Sequence, residues 1–147
     1  MSATARLAEL GISLPPVATP AGSYVPAVRT GSLVYTAGQV PKDAATGKVG
    51  AEVSAEEANA AARVCALQAL AAIDALVGID SVVRVVKVVG FVASAPGFTG
   101  QPGVINGASD LLGEVFGEAG AHARSAVGVA ELPGGVPVEV ELIVEVR

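Results

Sequence analysis

An arginine within a run of small and apolar residues is the strongest candidate for chemistry in this sequence. Arg124 lies in the segment 122–127 (His-Ala-Arg-Ser-Ala-Val), which has the composition of a strand. Burying a guanidinium is costly unless a partner neutralises it. One interpretation is a structural ion pair with Glu139 or Glu141 on a neighbouring strand. The other is a site in which two parallel N–H groups bind the carboxylate of a ligand.

Two glutamates follow on the last predicted strand. Glu139 and Glu141 are two residues apart, so a strand places both side chains on the same face. One of them suits a general acid or base near the arginine, and the other suits a contact between subunits. Glu145 continues the same face, and a row of glutamates is also typical of a solvated strand face. The pattern leaves these alternatives open.

The other polar candidates favour structural roles. Asn106 stands where the second long helix is predicted to begin and is expected to cap it, with a ligand contact as the alternative. Tyr24 precedes the first strand, and its ring is expected to pack while its hydroxyl stays in water. His122, the only histidine, is expected to be solvated at a strand entrance. Cys65, the only cysteine, is expected to be buried in a helix.

Charge and composition argue against several functional classes. The 147 residues include 14 acidic and 9 basic side chains, which gives a net charge of −5. Scattered basic residues and 3% aromatics disfavour nucleic-acid binding, which uses clustered Lys and Arg. One Cys, one His and no glycine-rich nucleotide motif predict neither a metal nor a cofactor. No signal-like or bilayer-spanning segment is recognisable, so we expect a cytoplasmic protein without a membrane partner.

Hydrophobic periodicity and turn signals predict the element order ββαβαββ. We expect one α/β (α+β) domain over residues 1–147, with an N-terminal arm at 1–20 that begins with a short helix at 3–11. Its mixed sheet carries both long helices on one face, and other subunits cover the second face. The central part of the third strand is expected to be buried on both faces. Strands are predicted at 25–29, 32–37, 81–93, 123–130 and 136–146, and long helices from the Ser54 capping box to Gly78 and at 104–116.

Several motifs, in this order along the chain, resemble those of the Rid (reactive intermediate deaminase)/YjgF family. The segment 124–133, followed by Glu139-Val-Glu141, resembles the C-terminal signature of that family. The segment 35–41 (Tyr-Thr-Ala-Gly-Gln-Val-Pro) resembles its Ser-Gly-Gln-apolar-Pro motif, and 22–24 resembles its Gly-Pro-Tyr motif. Asn106 occupies the place of an asparagine on the second helix of the family. The match extends over residues 20–147 and is most similar to the longer-chained subgroup formerly labelled endoribonuclease L-PSP.

This resemblance implies a chorismate-mutase-like homotrimer with three clefts between subunits. It implies hydrolysis of reactive enamines or imines such as 2-aminoacrylate to a 2-keto acid and ammonia, with no metal or cofactor. Arg124 would bind the substrate carboxylate, and Glu139 would act at the reacting centre. The implied substrate-binding positions are Tyr24, Ala37, Gly38, Asn106 and Ala126.

Two of these positions depart from the family pattern. Ala37 stands where the family has a serine, and Ala126 stands where archetypal members often carry a cysteine. A trimeric protein that binds small carboxylates between subunits without catalysis is therefore the alternative. A nuclease, the label that some family members carry, is disfavoured by the acidic charge and by the scattered basic residues.

Overall fold

A computed structural model describes residues 1–147 and confirms the order ββαβαββ, preceded by the short helix. Single 3₁₀ turns follow α2 and α3 and precede the last strand. Most predicted bounds differ from the observed ones by one to three residues. The helices are α1 (Ala3–Glu9), α2 (Ala55–Val77) and α3 (Gln101–Phe116), and the strands are β1 (Ala27–Thr30), β2 (Leu33–Thr36), β3 (Val82–Ala93), β4 (Ala123–Val129) and β5 (Val138–Val146).

The five strands form one mixed sheet in the order β1-β2-β5-β3-β4. The neighbours β3 and β4 are parallel, whereas every other pair is antiparallel. Helices α2 and α3 pack on each other and on one face of the sheet, as predicted. Alternate residues of β5 point toward the helices and are buried: Val138, Val140, Leu142, Val144 and Val146. The intervening residues, including the three glutamates, face away from the helices.

Helix α2 begins at the predicted capping box. The Ser54 hydroxyl accepts from the Glu57 amide at 3.0 Å, and the Glu57 carboxylate accepts from the Ser54 amide at 3.1 Å. Helix α2 packs closely against α3, and its residue Cys65 is fully buried, as predicted. By length and composition α2 could cross a membrane, but 56% of its most apolar window is buried in the fold. That burial is typical of the core helix of a soluble domain.

Helix α1 is fixed by three hydrogen bonds, two to Asp80 and one to Glu114 on α3. Asp80, between α2 and β3, accepts from the amide of Thr4 at 2.8 Å and from its hydroxyl at 2.9 Å. These bonds hold the pKa of Asp80 below its usual range. The Arg6 Nε donates to the carbonyl of Glu114 at 2.8 Å, near the end of α3. Beyond α1, residues 12–20 run as an extended arm without regular structure.

The prediction that β3 is buried on both faces is wrong within one chain. Val85, Val88 and Val92 are fully buried beneath the helices, but Val83 and Val86 are 42% and 37% exposed on the other face. A run of valines indicates a strand without indicating what covers its second face. Within one chain, no other element covers that outer face of β3.

Candidate functional site

An open pocket of about 840 Å³ lies on the outer side of the sheet, beside β1 and β2. Its walls are mostly apolar, and Glu139 supplies the only carboxyl group in them. Tyr24 lies at the edge, 50% exposed, and its hydroxyl accepts from the Ala21 amide at 3.1 Å. Four of the predicted site residues therefore meet in this pocket: Tyr24, Ala37, Gly38 and Glu139.

Glu139 is the electrostatically unusual group of this pocket. Its side chain is half-buried on the outer face of β5, with Glu141 two residues along on the same face. Burial raises the pKa of Glu139, and the negative charge of Glu141 raises it further. No hydrogen bond offsets these two effects. Glu139 therefore keeps its proton to a higher pH than an ordinary glutamate, as suits a group that exchanges protons with a bound molecule.

The segment after β2 places Gly38 directly beside this carboxylate. A Cβ atom at position 38 would overlap the Oε2 atom of Glu139. Gln39 fixes the segment against β5, because its amide donates to the Val140 carbonyl at 2.8 Å and its carbonyl accepts from the Val140 amide at 3.1 Å. The glycine thus leaves space for the carboxylate in this position, and its φ angle is not positive, so conformational freedom is not the reason for it.

Gln68 on α2 is a supporting residue that the sequence analysis missed. Its side-chain nitrogen donates to the Val40 carbonyl at 2.8 Å, and its side-chain oxygen accepts from the Lys42 amide at 2.9 Å. The amide of one buried glutamine therefore holds the loop that follows Gly38. A glutamine on the otherwise apolar face of a predicted core helix is the signal that could have identified it.

Arg124 lies at the opposite edge of the sheet from this pocket. Strand β4 pairs only with β3, so Arg124 has Val88 as its neighbour, and Val88 in turn faces Leu142 on β5. Val88 and Leu142 are buried on the helical face. Arg124 is therefore two strands, or about 10 Å, from β5 and on the other face from Glu139.

The interpretation in which Arg124 forms an ion pair with Glu139 or Glu141 of the same chain is consequently wrong. The sequence order of the last two strands suggested that they are neighbours, but β3 lies between them. The guanidinium instead donates to the Asn106 side chain at 2.8 Å, to the Ser109 hydroxyl at 3.2 Å and to the Pro102 carbonyl at 3.3 Å.

These three bonds leave two of the five guanidinium N–H groups without a partner in the chain, namely Nε–H and one N–H of Nη2. Two N–H donors match the two oxygens of a carboxylate. Ala126 lies on the same side of β4, partly buried against the core. A second group of predicted site residues thus meets at this edge: Arg124, Asn106 and Ala126.

The expected cap at Asn106 is also wrong. Helix α3 begins at Gln101. The N-cap residue is Gly100, which provides no side-chain hydrogen bond to the helix. Pro102 suits the first turn, where its missing N–H costs nothing. Asn106 therefore lies within the helix, where its side-chain oxygen accepts from Arg124.

The expectation that His122 is solvated is wrong. It is partly buried, with Nε2 at 2.8 Å from the Ser109 hydroxyl and Nδ1 at 2.6 Å from the Gly120 carbonyl. Ser109 was not singled out in the sequence, because a lone serine in a helix carries no signal of its contacts. It connects His122 with Arg124.

Comparison with known proteins gives the class to which this fold and these residues belong. The family described as Endoribonuclease L-PSP matches residues 16–146. Protein TCP17 of Trypanosoma cruzi is 50% identical, over 97% of this chain and 93% of its own length. The crystal structure of Atu1372, a protein of unknown function from Agrobacterium tumefaciens, has a TM-score of 0.90 and 45% identity, covering 99% of this chain and 92% of that chain.

A more distant structure includes a small molecule. Escherichia coli TdcF, solved with bound serine, has a TM-score of 0.61 and 28% identity, covering 91% of this chain and 94% of that chain. Together these matches confirm the resemblance found in the sequence. The chain belongs to the YjgF/L-PSP family, also called Rid.

Proposed function

We propose that this protein is a homotrimer that hydrolyses reactive enamines or imines of the 2-aminoacrylate type to 2-keto acids and ammonia, with no metal or cofactor. The observation that carries the proposal is the half-buried Glu139, whose pKa is raised and whose carboxyl group faces an open apolar pocket. A carboxyl group that keeps its proton to a higher pH than an ordinary glutamate is suited to donate and accept a proton during hydrolysis.

The separation of the two groups of residues supports a cleft between subunits. Arg124 and Glu139 lie on different edges and different faces of one sheet, so they do not reach one small ligand within a chain. The open face also exposes large apolar side chains, including Val86 and Val127, that association would cover. In a ring of three copies, the Arg124 edge of each subunit would lie over the Glu139 pocket of the next.

Arg124 is the proposed anchor for the ligand carboxylate. Its two unpartnered N–H groups have the number and planarity that bidentate binding needs. The serine bound to TdcF is a molecule with such a carboxylate. The cleft would take a small 2-amino or 2-imino acid, because apolar walls beside Tyr24 and Tyr35 leave space for a short side chain.

The proposed reaction needs orientation and proton transfer more than a strong nucleophile. The enamine takes up a proton on carbon and becomes an imine, which is electrophilic at C2. Water adds at C2 as the C=N electron pair moves to nitrogen, and the carbinolamine then expels ammonia and leaves the keto acid. Glu139 would accept the proton of the attacking water and return it to the departing nitrogen.

Such substrates are short-lived, which favours the cytoplasm, where amino acids are metabolised.

A non-catalytic carboxylate-binding protein is the second candidate. It is favoured by Ala37, which supplies no hydroxyl to the pocket where the family pattern has a serine. In that case Arg124 would matter for affinity, and Glu139 would be dispensable. A nuclease is a weaker candidate, because the pocket is apolar with one acidic group and the net charge is −5.

The test is release of pyruvate from 2-aminoacrylate generated in situ by a serine dehydratase. We expect the wild type to exceed the spontaneous rate and Glu139→Gln to lose about 10²-fold or more of that acceleration. Glu145→Gln, on the same strand face but about 20 Å away, is the matched control and should remain active. If the wild type gives no acceleration while L-serine binds equally to wild type and Glu139→Gln, the binding protein becomes the conclusion.

Mixed trimers test the sharing of the site between subunits. Neither Arg124→Ala nor Glu139→Gln should be active alone. Random co-assembly of the two unites intact Arg124 and intact Glu139 in about one interface in four, so about a quarter of wild-type activity should return. Activity that stays at the level of the separate variants would contradict a shared cleft.

A further inference from the structure

A continuous row of hydrogen bonds runs from Arg124 through two residues that have no part in the family motifs. The Arg124 Nη1 lies 3.2 Å from the Ser109 hydroxyl, which lies 2.8 Å from His122 Nε2. His122 Nδ1 lies 2.6 Å from the carbonyl of Gly120, at the end of the 3₁₀ turn after α3. The three side chains come from α3, β4 and the residue that precedes β4.

The chemistry of the four groups fixes the direction of every bond in this row. The Gly120 carbonyl can only accept, so Nδ1 of His122 carries a proton. In a neutral imidazole Nε2 is then an acceptor, so the Ser109 hydroxyl donates to it. The oxygen of Ser109 is left with lone pairs, one of which accepts from Arg124. Each donor in the row therefore has one acceptor, and the orientation of the Ser109 hydroxyl is fixed.

We propose that Ser109 and His122 are positioning residues for Arg124. With Asn106 and Pro102 they hold the guanidinium in one orientation and leave its Nε–H and one N–H of Nη2 free for a ligand. The inference rests on the proposed function only for the ligand, since the orientation itself is a property of the chain.

The arrangement suits positioning and not nucleophilic catalysis. Ser109 lies within α3, and its hydroxyl already bonds on both sides. A long flexible side chain that is fixed before binding loses less freedom when the ligand arrives. Substitution of either positioning residue should therefore weaken ligand binding, although neither residue contacts the ligand.

The first experiment requires no ligand. His122 is the only histidine, so the ¹⁵N signals of its ring are unambiguous in NMR. We expect the Nδ1–H tautomer in the neutral form, and we expect Ser109→Ala to broaden or shift the Nε–H signal of Arg124, assigned by its loss in Arg124→Lys. An Nε2–H tautomer, or an Arg124 signal that Ser109→Ala leaves unchanged, would overturn the proposal.

The second experiment measures the dissociation constant of L-serine, the molecule found in TdcF. Ser109→Ala and His122→Leu should weaken binding about 10-fold, whereas His122→Gln, which keeps an acceptor for Ser109, should stay within about 3-fold of wild type. Ser125→Ala, on the other face of β4, is the matched control and should bind normally. Equal affinity of Ser109→Ala and wild type would contradict the positioning role.

The two experiments separate this inference from the function on which it rests. A wild type that does not bind serine would count against the proposed ligand site, while the tautomer and the Arg124 signal would still decide the positioning role. A purely structural role would lower thermal stability in both His122→Leu and His122→Gln without the difference in serine affinity between them.

Discussion

The carboxylate of Glu139 lies so close to Gly38 that a side chain at position 38 would displace it. A Cβ atom there would coincide with the space of the Glu139 Oε2 atom. The backbone of Gly38 has no positive φ, so conformational freedom is not the reason for the glycine. The glycine lets the backbone form one wall around the carboxyl group on which the proposed chemistry depends.

Gly38→Ala is therefore expected to impair catalysis much more than folding. The added methyl group must push the carboxylate aside, and a displacement near 1 Å can cost about 10²-fold in rate. We expect kcat for 2-aminoacrylate hydrolysis to fall by about that factor, with thermal unfolding shifted only slightly. Gly113→Ala, where nothing lies within 4 Å, is the control with unchanged kcat. An active Gly38→Ala would show that the position of the carboxylate is unimportant.

The same burial predicts an effect of Glu139 on stability. Since the pKa of Glu139 is raised in the fold, the folded state binds this proton more tightly than the unfolded chain does. The favourable contribution is complete below the ordinary glutamate pKa of 4.5 and is lost as pH rises through the raised value. Glu139→Gln should thus be more stable than wild type at neutral pH.

Denaturant unfolding at several pH values measures this difference. The gain in free energy of unfolding for Glu139→Gln should shrink as the pH falls through the raised pKa of Glu139, and it should be gone below the ordinary pKa of 4.5. Glu145→Gln, at the far end of the same strand face, should show no such trend. A Glu139→Gln protein that is less stable than wild type at neutral pH would mean that the ionised carboxylate has a stabilising partner.

Most of the fold could be predicted because its signals are local. The Ser54 capping box, the glycine after α2 and the alternation of β5 each identify an element from neighbouring residues alone. The order of the strands in the sheet is not a local signal, since it depends on which distant chain segments pair. Because β3 lies between β5 and β4, one of the two interpretations of Arg124, an ion pair with Glu139 or Glu141, does not hold within the chain. No local sequence pattern indicates this strand order.

The candidate site was predictable only in part, for the same reason. Family motifs indicated Arg124, Glu139 and Gly38, but not that these lie on two separated surfaces of one chain. The supporting residues Gln68 and Ser109 carry no motif, because their partners are backbone groups or side chains distant in sequence. Their importance becomes visible only when the hydrogen bonds of the folded chain are followed.

Glu141 tunes Glu139, and this predicts a shift in the pH dependence of activity. Its negative charge is the second cause of the raised pKa of Glu139. Glu141→Gln removes that charge, so the pKa of Glu139 should fall. Whether Glu139 acts as acid or base, the limb of the kcat profile that reports its titration should move to lower pH. This is checked by kcat profiles against pH for wild type, Glu141→Gln and the control Glu145→Gln. An unchanged limb in Glu141→Gln would show that the limb does not report the titration of Glu139.

Gln68 should matter for both stability and rate. Gln68→Leu leaves the Val40 carbonyl and the Lys42 amide without their partner, which costs about 1–3 kcal/mol in the free energy of unfolding. The loop after Gly38 loses its attachment to α2, so the wall beside Glu139 should loosen and kcat should fall. Wild-type kcat in Gln68→Leu would show that the loop is fixed without Gln68.

Two glycines on the same helix should respond oppositely to the same substitution. A Cβ at Gly107 would collide with the backbone carbonyl of Asn59 on α2, whereas a Cβ at Gly113 meets nothing. Gly107→Ala must separate two closely packed helices and should lose about 1–3 kcal/mol of stability. Gly113→Ala should gain up to about 1 kcal/mol, because alanine favours the helix. Urea unfolding of both variants measures the pair, and a stable Gly107→Ala would mean that α2 and α3 do not approach as closely as their contact at Asn59 requires.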